Sequence, residues 1–161
     1  MQLPSDAIAG LGYLALGTRL KRLAEQLQAG VAEVLGETGE AVQPGQLPLL
    51  VAIEEGGGLT VTQLVDAIAV SQPAISRMLE GLRRSGLVVM DADAEDARVR
   101  CARLTPNARH LLERLRVRSF PKVAAAAEQL CEGLDLLGKI AVIEQRNREL
   151  EFAERIRRAK P

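Results

Sequence analysis

Residues 60–105 constrain the fold of this chain more than any other stretch, because they predict two short helices, a tight turn and a hairpin in immediate succession. Thr60-Val61-Thr62-Gln63 has the pattern of a capping box, in which Thr60 and Gln63 satisfy exposed backbone donors at a helix start. The apolar residues that follow recur at the i, i+3, i+4 and i+7 positions of one helix face: Val61, Leu64, Val65 and Ile68.

The second helix is predicted to begin at Ser71, a good N-cap residue, with Pro73 in the first turn, where its missing N–H does no harm. Gly86 is placed to end this helix. Its apolar face comprises Ile75, Met78, Leu79 and Leu82. The opposite face suits a helix lying in the major groove of DNA, where its side chains would reach base edges and phosphates: Gln72, Pro73, Ser76, Arg77, Glu80 and Arg84.

A β-hairpin is predicted after Gly86. Leu87 to Met90 is β-prone, Asp91 to Ala97 is polar, and Arg98 to Leu104 is a second extended run. This second run carries Arg98, Arg100 and Arg103, and an arginine at a hairpin tip can enter the minor groove, where the negative potential is enhanced. Helix, turn, helix and β-wing together make a winged helix.

Several motifs in this region, in this order, resemble the MarR (multiple antibiotic resistance regulator) family of bacterial transcription factors: Ser71-Gln72-Pro73-Ala74-Ile75-Ser76-Arg77, Leu82 through Gly86-Leu87-Val88, Asp96-Ala97-Arg98 and Leu104-Thr105. The resemblance implies a mainly α fold with a small β-wing, a winged helix-turn-helix plus long N- and C-terminal dimerisation helices. It also implies that Arg98 is the arginine of the family's D-x-R wing pattern, with Asp96 supporting the hairpin.

We therefore predict one domain over residues 1–161, with the winged helix at about 44–104 and dimerisation helices at about 6–35 and 105–158. A helix is predicted to open at Thr105-Pro106, with Ala108, Leu111, Leu112 and Leu115 as its apolar face, and Pro121 should interrupt it near Val117. A last helix is predicted from Leu134 to Arg158. The first helix has an apolar stripe that one winged helix does not need for its core: Leu16, Leu20, Leu23, Leu27, Val31 and Val34. Covering such stripes with a second copy predicts a homodimer and a pseudo-palindromic DNA target.

Charge bears on the choice of partner. The chain has 21 basic and 21 acidic residues, but residues 71–118 alone hold 10 basic and 6 acidic ones. A local basic face of this kind favours double-stranded DNA as the partner, with Ser71, Gln72, Pro73, Ser76, Arg77, Arg84, Asp96, Arg98 and Arg100 as the interface. The zero total charge, with Ala74 and Ala97, supports an alternative, a winged-helix protein-interaction module without DNA binding.

A few residues outside the predicted DNA-binding face are candidates for ligand binding or redox chemistry. The resemblance implies release from DNA by a small aromatic or other organic effector, and Tyr13, Arg19 and Phe120 are the candidate lining residues. Cys101 and Cys131 indicate a reducing cytoplasm rather than disulfides, and a cysteine-based redox-sensing regulator is a second alternative. We expect no membrane span, and the single histidine, His110, gives no basis for a metal site or a catalytic pair. No cofactor is expected.

Overall fold

A computed structural model of the chain describes residues 6, 8–37, 39, 42–92 and 98–160. The chain divides into two compact units, Met1–Phe120 and Pro121–Pro161. The elements are α1 (Leu16–Glu37), α2 (Leu47–Glu55), α3 (Val61–Ile68), α4 (Gln72–Arg84), β1 (Val88–Ala92), β2 (Arg100–Leu104), α5 (Pro106–Arg118), α6 (Phe120–Leu130), α7 (Leu136–Glu149) and α8 (Phe152–Arg158). The predicted mainly α fold with a small β-wing is confirmed.

The wing is an antiparallel hairpin in which β1 and β2 pair from Val88 opposite Leu104 to Ala92 opposite Arg100. Leu59, between α2 and α3, forms a further bridge to Ala102 on the other edge of β2. Since a hairpin alone is only marginally stable in water, this bridge supports the wing from the helical side.

The core of the first unit lies among α2, α3, α4, α5 and the base of the wing. The core residues from α2, α3 and the base of the wing are aliphatic: Leu49, Leu50, Ile53, Leu64, Leu87, Val88 and Leu104. The core also includes residues of the faces predicted for α4 and α5: Ile75, Leu79, Leu82, Ala108, Leu111, Leu112 and Leu115. Val61, Val65, Ile68 and Met78 are partly buried against this core. The helical periodicity of the sequence therefore predicted the packed faces correctly.

Most of the predicted helix ends are also found. Thr60 Oγ1 accepts a hydrogen bond from Gln63 N at 3.2 Å, and Gln63 Oε1 accepts one from Thr60 N at 2.9 Å, which completes the capping box. Thr105 Oγ1 caps α5 by accepting from Ala108 N at 3.2 Å. Gly86, at φ +70°, donates to Arg83 O at 3.0 Å and ends α4 in the left-handed conformation that favours glycine.

Ser71 occupies the predicted N-cap position of α4, but its side chain makes no capping hydrogen bond. The cause is local: the second residue of the helix is Pro73, which has no N–H, and Ala74 N already donates to the Ser71 carbonyl at 2.9 Å. The prediction that the Ser71 hydroxyl caps the helix is therefore wrong, although the helix begins where predicted.

The first predicted helix, 6–35, is shorter at its start. A 3-10 segment, Ala9–Ala15, precedes α1, and Gly12 inside it is non-helical, with φ 53° and ψ −131°. The helix ends two residues later than predicted, at Glu37. Glycine permits a left-handed conformation that interrupts helical hydrogen bonding, so the glycine-rich start does not continue α1.

In the second unit, the single helix predicted from Leu134 to Arg158 is wrong, because α7 ends at Glu149 and Leu150 is extended, with φ −150° and ψ 108°. The Arg155 guanidinium donates to the carbonyls of Leu150, at 2.9 Å, and Arg146, so that it satisfies acceptors at the end of α7. Helix α5 stops at Arg118 and α6 begins at Phe120, so the predicted interruption is present, two residues beyond Val117.

Candidate nucleic-acid interface

Helices α3 and α4 form a helix-turn-helix whose turn contains an unusual residue. Ala69 has φ 57° and ψ 36°, and it is the one non-glycine residue with positive φ in the described part of the chain. Its N–H donates to Val65 O at 2.8 Å, which ends α3 and turns the chain towards α4. This left-handed residue therefore sets the direction in which α4 leaves α3.

The outward face of α4 is exposed along its length, opposite the buried Ile75, Leu79 and Leu82. Ser71 and the predicted groove-facing residues Gln72, Pro73, Ser76, Arg77, Glu80 and Arg84 are all exposed. The N-terminal end of a helix also carries a partial positive charge, which favours phosphate. The exposed N-terminal half of α4 is thus a polar surface of one helix, of the kind that reads base edges in a major groove.

Arg77 lies at the border of this surface. It also lines an open groove of about 560 Å³, together with Ala74 and Met78 from α4 and Glu25 and Gln28 from α1. At the other end of α4, Arg83 Nη1 pairs with Glu80 Oε2 at 3.4 Å on the surface. Arg84 lines a second cleft, of about 480 Å³, beside Val89 and Asp91 of β1.

The wing presents its arginines in different settings. Arg98 is exposed and comes just before β2, while Asp96 lies outside the described residues. The Arg100 guanidinium donates to the Met90 carbonyl across the hairpin, so one of its nitrogens serves the wing itself. Arg103, the third arginine of the hairpin, donates through Nη1 to Gly57 O at 2.6 Å.

Two of the three candidate effector-binding residues come together. Tyr13 and Arg19 line an open groove of about 530 Å³ along α1, beside Leu16, Leu20 and Leu23. Phe120 is elsewhere, packed against the hydrophobic core. Tyr13 is 92% exposed, so its ring is available to a ligand or to another chain.

Apolar side chains are exposed on several helices. On α1 the predicted stripe is uncovered at Leu16, Leu20, Leu23, Leu27 and Val34, each between 37% and 47% exposed, whereas Val31 is half-buried. The second unit exposes a further set: Leu130, Leu134, Leu137, Val142, Ile143, Phe152 and Ile156. Such a series of exposed large residues marks surfaces that another chain can cover.

The cysteines and the histidine do not form a site. Cys101 is 2% exposed, Cys131 is half-buried, and His110 lies on the surface with Nδ1 at 3.5 Å from Glu113 Oε2. Within the described ranges, no group of three or more histidine, cysteine or acidic residues is arranged to hold a metal ion. None of the helices described here combines the length and apolar character needed to cross a bilayer.

The family model that matches this chain is that of the MarR family, and it covers residues 42–99. No curated protein sequence matches the chain. Similar solved structures include a mutant of MarR from E. coli complexed with operator DNA, at TM-score 0.65 and 19% identity over 91% of this chain and 99% of that one.

Two further structures are similar. One is BpsR of Bordetella bronchiseptica, whose DNA binding is regulated by 6-hydroxynicotinic acid, at TM-score 0.61 and 21% identity over 84% of this chain and 92% of that one. The other is CouR of Rhodococcus jostii bound to p-coumaroyl-CoA, at TM-score 0.60 and 22% identity over 89% of this chain and 94% of that one. At these identities the likeness establishes the shared fold.

Proposed function

From the match of residues 42–99 to the MarR family model, we propose that this chain is a homodimeric transcriptional regulator that binds double-stranded operator DNA, as a repressor, in the cytoplasm. The observation that carries the proposal is the exposed polar face of α4, with Gln72, Ser76 and Arg77 at its N-terminal half and a buried apolar face behind them. A regulator rather than an enzyme is also what the family match indicates.

In the proposed complex, α4 lies in the major groove with Ser71, Gln72, Pro73, Ser76 and Arg77 towards the bases and Arg84 towards a phosphate. The wing follows the adjacent minor groove, where Arg98 inserts and Asp96 supports the hairpin. The contact of Arg100 with the Met90 carbonyl uses one of its nitrogens, and the remaining guanidinium donors are assigned to the phosphate backbone.

Dimerisation is supported by the exposed stripe on α1 and the exposed apolar residues of α6, α7 and α8. The core of one winged helix leaves these apolar faces exposed. In a two-fold symmetric dimer, apolar faces of one copy would be buried against apolar faces of the other copy. Two copies of α4 related by that axis would meet successive major grooves, so the operator would be a pseudo-palindrome with half-sites about one turn, roughly 10 base pairs, apart.

A small organic effector is part of the proposal. The groove beside Tyr13 and Arg19 combines an aromatic ring, a guanidinium and leucine side chains, which suits an aromatic carboxylate. BpsR responds to 6-hydroxynicotinic acid and CouR binds p-coumaroyl-CoA, and both ligands join a ring to an anionic group. Thermal-shift measurements with aromatic acids test this assignment: a stabiliser whose effect disappears in Arg19→Ala supports it, and the absence of any stabiliser counts against it.

The experiment that tests DNA binding is a selection from random duplexes, sequenced after rounds at increasing salt, with the wild type, Arg98→Ala and Arg118→Ala. Arg118, at the exposed end of α5, is a control of equal charge outside the proposed interface. We expect the wild type and Arg118→Ala to enrich one palindrome. Arg98→Ala should bind all sequences more weakly, with a salt slope reduced by about 2 per dimer, since each lost phosphate contact removes about 0.9.

Flat enrichment by the wild type at every salt concentration would refute DNA binding and favour the winged-helix protein-interaction module. An Arg98→Ala slope equal to that of the wild type would remove Arg98 from the interface while leaving α4 in it. Sedimentation equilibrium on the same samples measures the mass, and a monomer at the concentrations that bind DNA would contradict the dimer.

A further inference from the structure

The glycine turn Gly56-Gly57-Gly58 between α2 and α3 is bound to the wing by an arginine. Arg103 of β2 reaches this turn and donates from Nη1 to the Gly57 carbonyl at 2.6 Å. The turn itself continues from the core helix α2, since Gly56 N donates to Ala52 O at 3.0 Å and Gly57 N donates to Glu54 O at 3.1 Å. Arg103 thus connects the wing to the turn that follows α2.

Gly58 makes room for this contact. A Cβ atom at this position would lie 2.9 Å from Arg103 Nη1 and 3.1 Å from Arg103 Cγ, so a side chain would displace the arginine along its length. The φ of Gly58, +131°, is also one that L-residues rarely adopt. The absence of a side chain at Gly58 therefore lets the Arg103 stem pass over the backbone and reach the carbonyl of the preceding residue.

The same edge of β2 carries a backbone bridge. Leu59 N donates to Ala102 O at 3.1 Å, and Ala102 N donates to Leu59 O at 2.8 Å. Arg103 follows Ala102 directly, and Gly57 precedes Leu59 by two residues, so the side-chain contact lies next to the backbone pair. Together these three hydrogen bonds hold the edge of β2 that faces away from β1.

We propose that Arg103 is a positioning residue for DNA binding, which fixes β2 against the glycine turn and so fixes the place from which Arg98 leaves the hairpin. The inference rests on the proposed function, in which Arg98 enters the minor groove. Unlike the exposed Arg100, Arg103 is half-buried, with its guanidinium packed against Gly58 and donating to the Gly57 carbonyl, so we assign it no phosphate contact. Its removal should therefore loosen the wing without removing a charge from the interface.

The test uses full-length wild type, Arg103→Ala and Arg103→Lys, with Arg118→Ala as the control for a lost surface charge. Amide hydrogen exchange on the DNA-free protein follows the N–H groups of Leu59 and Ala102, with the buried Leu112 amide as an internal reference. In Arg103→Ala we expect both bridge amides to exchange about fivefold faster or more, the effect of losing one net hydrogen bond, while Leu112 is unchanged.

DNA affinity is then measured across a salt series on the duplex selected by the wild type. We expect Arg103→Ala to bind the duplex at least about fivefold more weakly than the wild type. The salt slope should equal that of the wild type, because no phosphate contact is lost. Arg103→Lys retains a donor that can reach the same carbonyl, so it should recover part of both the affinity and the amide protection. Helical circular dichroism confirms that each variant is folded.

Three results would overturn the inference. Unchanged exchange at Leu59 and Ala102 in Arg103→Ala would show that the contact does not hold the strand. Faster exchange with wild-type DNA affinity would show that the strand position does not matter for binding. A salt slope reduced as much as in Arg98→Ala would make Arg103 a direct phosphate contact. If the wild type binds no duplex, the proposed function fails, and the exchange data still decide whether Arg103 holds β2.

Discussion

Replacing Ala69 with glycine should stabilise the protein, although the same substitution usually destabilises helical proteins. Ala69 closes α3 with φ 57° and ψ 36°, a left-handed conformation in which the Cβ of an L-residue lies too close to backbone oxygen. Its side chain is exposed, so removing the methyl group leaves no cavity in the core. The substitution therefore tests backbone conformation almost alone.

The magnitude follows from two opposing terms. The left-handed conformation costs an L-residue roughly 1–2 kcal/mol, and glycine removes that cost. Glycine also gives the unfolded chain more freedom, which costs about 0.4–1 kcal/mol. The difference is a gain of about 0.5–1 kcal/mol in the free energy of unfolding, or a rise in Tm of about 1–4 °C for a chain of this size.

Urea unfolding followed by circular dichroism measures this difference, at one fixed protein concentration because dimerisation would make stability concentration-dependent. Ala67→Gly is the matched control, since Ala67 is exposed in α3 two residues earlier and adopts helical backbone angles. It should lose up to about 1 kcal/mol, the ordinary helix cost of glycine. If Ala69→Gly is destabilised as much as Ala67→Gly, the left-handed assignment is refuted.

Two further predictions concern the N-terminal segment and the thiols. Arg22 Nη1 and Nη2 donate to Asp6 Oδ1 and Oδ2 at 3.1 and 2.8 Å, and these hydrogen bonds hold the pKa of Asp6 below its usual 3.8. The ion pair is therefore complete above pH 3.8 and is lost as the pH falls through the lowered pKa. Fluorescence of Tyr13, the one tyrosine, should change in that acid range in the wild type, and a transition of equal size in Asp6→Asn would contradict the pairing. A thiol reagent should label Cys131 before Cys101, which is 2% exposed, and equal labelling rates in the native protein would show that β2 opens readily.

The sequence predicted those parts of the fold that depend on local rules. The apolar periodicity of α4 and α5 identified their buried faces because each helix has one side to cover. The capping box at Thr60 and the N-cap at Thr105 were predictable because hydroxyl groups three residues before a backbone N–H satisfy it directly. The exposed face of α4 was predictable because it consists of the residues of that helix that do not lie on the buried face.

Contacts between distant residues were not predictable from these rules. The sequence predicts that Arg103 adds charge to the wing, but it gives no sign that the side chain also binds a carbonyl 46 positions earlier. The end of α7 at Glu149 has no glycine or proline to signal it, and the carbonyls there are satisfied by Arg155. An arginine has five donors on a long stem, so its sequence position says little about which acceptor it reaches.

Ala69 and Gly58 both have positive φ, but only one of the two positions is occupied by glycine. Gly58 needs to be glycine for two reasons, its backbone angle and the passage of Arg103, whereas nothing in the described structure requires a methyl group at Ala69. A stabilising Ala69→Gly would therefore mean that strain remains in the turn that directs α4. Measuring DNA affinity for the same variant decides whether that strain serves binding. If glycine raises stability and weakens binding, the stiffer alanine turn helps to hold α4 in position, and if affinity is unchanged, the strain has no part in recognition.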